Sequence, residues 1–346
     1  MMFDDLASRS ASWLDASGDC ASLVVSSRVR LARNLTHLPF PHRANDTQCQ
    51  EIINAVVESC DQSLPTFLET DSLSKLQQRF LVESHLISPG LIKRDGQCGV
   101  LVGKDEHLSA MVNEEDHLRL QGIFPGLQPR IAWQATHTLE RTLASRLNFA
   151  FSDDWGYLTA CPTNTGTGLR ASVLIHLPGL VLTQDIDGVV RGITQMGFVV
   201  RGFFGEGTDV AGNMFQVSNQ ITLGKSEADL LDLLDQVVAQ LTVCEENARE
   251  TLWRDARSKI EDKVFRALGL LKYARLLTSQ EFMNLSSAVR LGVGMGVIEG
   301  VSLRTLNELM IETQPAHLQC QAQKKLDADS RDVLRAQWVR QRLESS

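Results

Sequence analysis

Five arginines keep company that points to a common task. Arg28 and Arg30 stand in SSRVR, Arg119 in EEDHLR, Arg170 in PTNTGTGLRAS and Arg201 in VVRGFFGEG, and four of the five lie beside a predicted strand end, a tight turn or a glycine run. Strand alternation puts Arg28 and Arg30 on one face. A planar guanidinium fork matches phosphate oxygens in a way that a lysine ammonium does not. One such arginine alone reads as a surface residue in a local ion pair. Five together read as a phosphate-binding set. The glycine run is not a P-loop, because Thr167 and Gly168 are followed by Leu169 and Arg170 rather than by Lys and Ser. The HRD and DFG elements of common protein kinases are missing too. The glycines either let the backbone approach phosphates or simply make a turn.

Carboxylates supply the other half. NEEDH (113–117) gathers Glu114, Glu115 and Asp116, and GEG (205–207) sets Glu206 between two glycines just past a strand. Such acids are either solvated surface or, brought from separate turns, a clamp for a cation. A guanidinium is protonated at neutral pH and is a poor nucleophile. Two carboxylates can hold its N–H groups, aim one nitrogen at a γ-phosphorus and accept the proton as the N–P bond forms. Two like charges tolerate each other best with a cation between them. Cys161, in LTACPTN, is either a packing residue or a thiolate that holds another edge of the guanidinium.

The elements that must position these groups show in the hydrophobic pattern. SLVV (22–25), GVLVG (99–103), LSAMVN (108–113), SVLIHL (172–177), FVVRGFF (198–204) and MFQVSNQITLG (214–224) read as strands, the second and third as a hairpin. Helices are predicted over 6–14, 47–60, 71–86, 131–148, from Thr183, and over 227–249 with Ser226 as cap. After about residue 255 the texture is helical throughout, so the chain divides into a catalytic domain (1–255) and a helical C-terminal domain (256–346). The fold class is α+β, with helices covering an antiparallel sheet.

Composition narrows the function. The chain of 346 residues is 43% apolar and 22% charged, with a formal charge of -8. No overall field draws it to nucleic acid. Neither a membrane span nor an apolar signal core is present in the sequence. Seven scattered cysteines fit a reducing, cytoplasmic setting and no metal-ligand pattern.

At these blocks the chain resembles the phosphagen (guanidino) kinase family. The matching strings are SSRVR (26–30), NEEDHLR (113–119), LTACPTNTGTGLRAS (158–172), RGFFGEGTD (201–209) and SNQ (218–220), and their combination in this order is highly specific. The resemblance implies a catalytic core related to that of glutamine synthetase, and ATP with Mg²⁺ as cofactors. It gives Arg28, Arg30, Arg119, Arg170 and Arg201 to the ATP phosphates and Glu115 the principal catalytic role. Glu206 becomes its partner across the guanidinium, Cys161 the reactive cysteine, and His85, in VESHLIS, a neighbour of the adenine. Metabolite kinases of the family carry a further helical domain before SSRVR, which begins here at residue 26, and an arginine where Phe204 stands.

Those departures resemble the branch of bacterial protein-arginine kinases, as do VVSSRVRLARNL (24–35), VNEEDHLRLQGIFPG (112–126), GNMFQVSNQITLGKSE (212–227) and LNELMIETQP (306–315). This implies protein substrates with exposed arginines and phosphoarginine as a mark for a Clp-type ATPase and protease. It also implies a zinc-binding activator (McsA) and a homodimer. In that branch the C-terminal RDxxRA motif, here RDVLRA (331–336), is linked to phosphoarginine recognition. Arg331 and Arg335, four residues apart on one helical face, would hold the phosphoryl group and Asp332 the guanidinium. Otherwise the segment is a solvated basic helix end. Two rival readings are a kinase for a free guanidino metabolite and a non-catalytic phosphoarginine-binding adaptor.

Overall fold

The computed structural model describes residues 3–60, 64–94, 96–203 and 211–344. Its strands are β1 (Val24–Arg33), β2 (Thr66–Glu69), β3 (Gly99–Val102), β4 (Leu108–Val112), β5 (Leu118–Pro125), β6 (Phe151–Ser152), β7 (Gly156–Tyr157), β8 (Leu169–His176), β9 (Phe198–Gly202) and β10 (Met214–Asn219). Its helices are α1 (Phe3–Ala7), α2 (Asp46–Ser59), α3 (Lys75–Glu83), α4 (Pro129–Ala144), α5 (Pro178–Leu182), α6 (Ile186–Gln195), α7 (Glu227–Tyr273), α8 (Ser279–Gly294), α9 (Leu303–Glu312), α10 (Pro315–Ala322) and α11 (Ala328–Glu344). Eight strands form one sheet in the order β2-β3-β4-β5-β1-β8-β10-β9, with every neighbouring pair antiparallel. Strands β6 and β7 make a separate hairpin.

The central strand explains why the sheet has two unlike faces. Val29 and Leu31 of β1 enter a core with Leu118, Leu120, Ala171, Val173 and Val217, covered by α4 and α7. Each fully buried Val or Leu there contributes roughly 1.5–3 kcal/mol. The intervening Arg28 and Arg30 therefore stand on the opposite face. Val24 shares the core of Val29, which simple alternation forbids. A bulge between Val24 and Ser26 restores the parity. The extra residue, Val25, turns instead into a second core with Trp13, Ile123, Leu174 and the C-terminal helices.

Helix α7 starts as its sequence predicts. Ser226 accepts from the Asp229 backbone N–H at 3.1 Å while the Asp229 carboxylate accepts from the Ser226 backbone N–H at 3.1 Å, a capping box. Leu230, Leu234, Val237, Val238 and Leu241 form its buried stripe. It does not stop at 249, however, but continues to Tyr273. Residues 250–268 hold no glycine or proline to end it. Ala256 alone leaves helical geometry (φ −141°, ψ 26°). Beyond it, Val264 and Leu271 pack with Phe282, Val289, Leu309 and Val339 of the later helices. A sheet-and-helix part is thus followed by a helical part. None of the described helices is long and apolar enough to cross a membrane.

Glu106, in the turn between β3 and β4, is only 6% exposed, and burial pushes its carboxyl up to about 7, with Arg9 pulling the other way. A raised carboxyl is held more tightly protonated in the folded chain than in the unfolded one. Its contribution is therefore complete below about pH 4.5 and is lost as pH rises through 7. The loss is on the order of 3 kcal/mol. Glu106→Gln should remove this slope, so that urea melts show a larger stability gain over the parent at pH 8 than at pH 5. Equal gains at both pH values would exclude a neutral buried Glu106.

Candidate active site

Arg119, Arg170 and Arg201 each lie one residue from the end of a strand, in β5, β8 and β9, whereas Arg28 and Arg30 lie in the body of β1 rather than past its end. Arg30 lies opposite Arg170 on β8 and opposite Gln121 on β5, while Arg28 lies opposite Ser172. Arg119 lies opposite Ala32, and Arg201 opposite Gln216. Directly paired residues share a face, so all five arginines occupy the sheet face away from the main core. Arg30, Arg119, Arg170 and Arg201 line a cleft of about 500 Å³. Arg28 reaches into a smaller neighbouring pocket.

Crowding is the electrical signature of this face. Burial, then the charges of Arg170 and Arg119, push the Arg28 guanidinium down to about 10. Arg30 is lowered further by burial and by Arg28, Arg119 and Arg170, with Glu114 alone opposing. The Arg30 Nε–H is a buried donor with no partner among the described residues. Arg170 donates to Ser218 Oγ at 3.1 Å. A polyanion laid on this face would relieve the mutual repulsion and occupy the forks.

The acidic block follows the end of β4, in the turn to β5. Its members are sorted by what holds them. Asn113 takes the left-handed conformation (φ 58°), and its side chain donates to the carbonyls of Cys49 at 2.9 Å and Gln97 at 3.0 Å. Asp116 is buried and accepts from Asn34 Nδ2 and from the Ala160 backbone N–H, each at 2.7 Å. His117 Nδ1 accepts from the Leu35 N–H at 3.0 Å, so Nε2 carries the proton and donates to the Pro39 carbonyl at 2.9 Å. Burial lowers its pKa and keeps it neutral. Glu114 pairs with Arg119 at 2.8 Å and accepts from Ser88.

That leaves Glu115, whose side chain is 43% exposed and faces the cleft 3.1 Å from Arg119. Desolvation holds its pKa above the ordinary carboxylate value, Arg119 opposes, and Asp116 and Glu114 add to the rise. Cys161 lines the same cleft, with its sulfur 3.0 Å from Thr163 Oγ1, and its thiol opposes the rise of the Glu115 carboxyl. Asp116 braces both groups, because it anchors the Glu115 turn and the Ala160 N–H beside Cys161. In the glycine run, Gly168 makes a tight turn and also lines the arginine cleft. A Cβ at Gly168 (φ 63°) would lie 2.6 Å from Arg33 Nη1 and 2.7 Å from the Ala32 carbonyl.

The same architecture recurs among known proteins. The ATP:guanido phosphotransferase C-terminal catalytic domain matches residues 48–248, and the protein-arginine kinase McsB C-terminal domain matches residues 257–346. The protein-arginine kinase of Pelotomaculum thermopropionicum is 47% identical over 335 residues, covering 95% of this chain and 94% of that protein. The protein-arginine kinase of Bacillus subtilis is 43% identical over 340 residues, covering 96% and 93%. The chain belongs to the protein-arginine kinase family. Among solved structures, lombricine kinase superposes with a TM-score of 0.59 over 67% of this chain and 70% of that one, at 24% identity, which speaks for the fold alone.

Other residues expected to serve in a protein-arginine kinase are placed as follows. His85 (φ 60°) lies edge-on between Trp13 at 5.6 Å and Phe203 at 5.2 Å, and lines the small pocket with Arg28. Burial pushes it down to about 3, so it offers a flat, uncharged wall. Glu206 and Phe204 lie outside the described residues. In the C-terminal motif, Arg335 is buried and donates to the carbonyls of Thr313 at 3.0 Å and Leu277 at 2.7 Å and to Asp332 at 2.5 Å. Arg331, half-buried, donates to the Leu326 carbonyl at 3.0 Å. Phosphoarginine binding there would have to compete with Arg335 for Asp332.

Three positioning residues escaped the sequence reading, Asn34, His117 and Asn219, while Asp116 was named there only as one of the candidate acids and not as a brace. Asn219 Oδ1 accepts from the Ala171 N–H at 2.8 Å and its Nδ2 donates to the Leu169 carbonyl at 3.0 Å, tying β10 to the start of β8. The available signal was their place inside otherwise apolar or catalytic-looking strings.

Proposed function

We propose that this chain is a protein-arginine kinase that moves the γ-phosphoryl group of ATP onto the guanidinium of arginine side chains in proteins. The observation that carries this is the meeting, in one cleft, of four arginines with a carboxylate of raised pKa. Family membership over nearly the whole chain supports it. In this reading Arg28, Arg30, Arg119, Arg170 and Arg201 hold the phosphates, and the crowded cations fit a triphosphate. Mg²⁺ held on the phosphates would supply further positive charge to the group in flight. Glu115 orients the acceptor and accepts its proton, and a raised carboxylate is the stronger base. Cys161 and Glu206 would hold other edges of the guanidinium, and His85 with Trp13 would flank the base. Arg331, Asp332 and Arg335 remain the proposed phosphoarginine site.

The test is mass spectrometry, kept near neutral pH, of an arginine-rich protein incubated with the kinase, Mg²⁺ and ATP, with free arginine and creatine in parallel. Phosphate on protein arginines is the expected result. Phosphate on a free metabolite alone would transfer the assignment to the metabolite kinases. No transfer to either would leave the adaptor reading. The zinc-binding activator, the Clp-type ATPase and protease, and a second copy of this chain rest on the family resemblance. They enter the same assay as added components.

A further inference from the structure

One side of the cleft mouth is apolar and acidic where the cleft itself is cationic. The β6–β7 hairpin carries Phe151 and Trp155, each 56% exposed, and the segment after β10 carries Ile221 and Leu223, each 45% exposed. These two stretches form one continuous rim. The backbones of Gly156 and Gly166 are in contact, with a Cβ on Gly156 falling 2.5 Å from the Gly166 carbonyl. Gly166 in turn abuts Thr222 and Leu223. Thr222 Oγ1 lies 2.9 Å from the Thr163 carbonyl and 2.8 Å from the Thr165 carbonyl. Thr163 and Thr222 both line the cleft beside Cys161 and Glu115. Trp155 and Leu223 therefore stand just outside the wall on which the acceptor would be held.

The hairpin tip adds charge. Between Phe151 and Trp155 lie Asp153 and Asp154, both exposed and with no ion-pair partner among the described residues. An exposed indole beside two free carboxylates does nothing for the packing of the fold. It suits a surface that meets a cation, through the ring face and through Coulomb attraction. Ile221 and Leu223 offer contact area for an apolar side chain.

Resting on the kinase reading above, we propose that this rim docks the polypeptide segment on either side of the acceptor arginine. It selects segments that are basic and carry an apolar residue. An arginine side chain that fills the cleft leaves its own backbone at the mouth, so the flanking residues must cross the rim. A free guanidino metabolite would have no use for it.

The experiment compares two peptides of equal length with one central arginine, one flanked by Lys and Leu, the other by Gly and Ser. The parent should prefer the first by roughly tenfold in kcat/KM, carried mainly by KM. The double variant Trp155→Ser/Leu223→Ser, and separately Asp153→Asn/Asp154→Asn, should each cut the preference severalfold while ATP affinity stays unchanged. The ratio between peptides is immune to a general loss of folded enzyme, and the aspartate pair alters no packing. A parent without preference, or variants that keep it, would overturn the docking surface and leave the kinase reading standing. A parent that phosphorylates neither peptide nor protein would bring down both.

Discussion

Glu115→Gln is expected to lower phosphoryl transfer to arginine by about 10²–10⁴-fold. The change keeps the side chain's shape and removes its charge and its basicity. Glutamine can neither pair with an incoming guanidinium nor take its proton. Nucleotide binding should survive. Arg119 keeps its partner Glu114 at 2.8 Å, and the fold's anchors in this turn belong to Asn113, Asp116 and His117. With one negative charge fewer beside the arginines, the affinity for ATP should hold or rise. The measurement pairs single-turnover transfer rates with a titration of fluorescent nucleotide. A variant within threefold of the parent rate would remove Glu115 from the chemistry. A variant that lost nucleotide binding along with transfer would make it a structural residue. Glu114→Gln provides the contrast, since Glu114 holds Arg119 and Ser88 and should affect nucleotide affinity first.

That contrast marks how far the sequence could be read. NEEDH announces three acids and a cationic partner, but nothing in the string tells Glu115 from Asp116. The distinction comes from the left-handed Asn113 and from Asn34 and Ala160, which lie far away in sequence. The alternation in SSRVRLAR put Arg28 and Arg30 on one face correctly, because Val29 and Leu31 had to be buried. It could not show that all eight residues lie in the middle of one sheet. The bulge at Val25 was invisible for the same reason, since period-2 reasoning carries no term for an inserted residue. Helix α7 was cut short in the reading because polar residues thin its stripe after Arg249. The chain continues because nothing there interrupts the backbone.

The same strand holds an arginine that looks like the others and does different work. Arg33 follows the parity of Val29 and Leu31 and so points into the core, fully buried. Its Nε lies 2.5 Å from Glu140, 107 residues away, and its guanidinium lies 3.4 Å over the Tyr157 ring. It also donates to the Thr167 carbonyl at 2.9 Å, which fixes the turn at Gly168 on the cleft wall. Burial alone would raise Glu140, but Arg33, with His137 and Tyr157, holds it below the ordinary carboxylate value. Arg33→Met leaves that carboxylate buried with only His137 and Tyr157 to answer it, and should cost about 3–5 kcal/mol in urea melts. Arg33→Met/Glu140→Leu removes both charges and should recover most of the loss, since a buried pair is often replaceable by apolar groups. Its activity should not recover, because Thr167 still lacks its donor and the turn beside Arg170 is loosened. A double variant as unstable as the single one would show that the cost lies in packing around Tyr157 rather than in the stranded charge. A double variant restored in both stability and rate would separate the Arg33 anchor from the cleft.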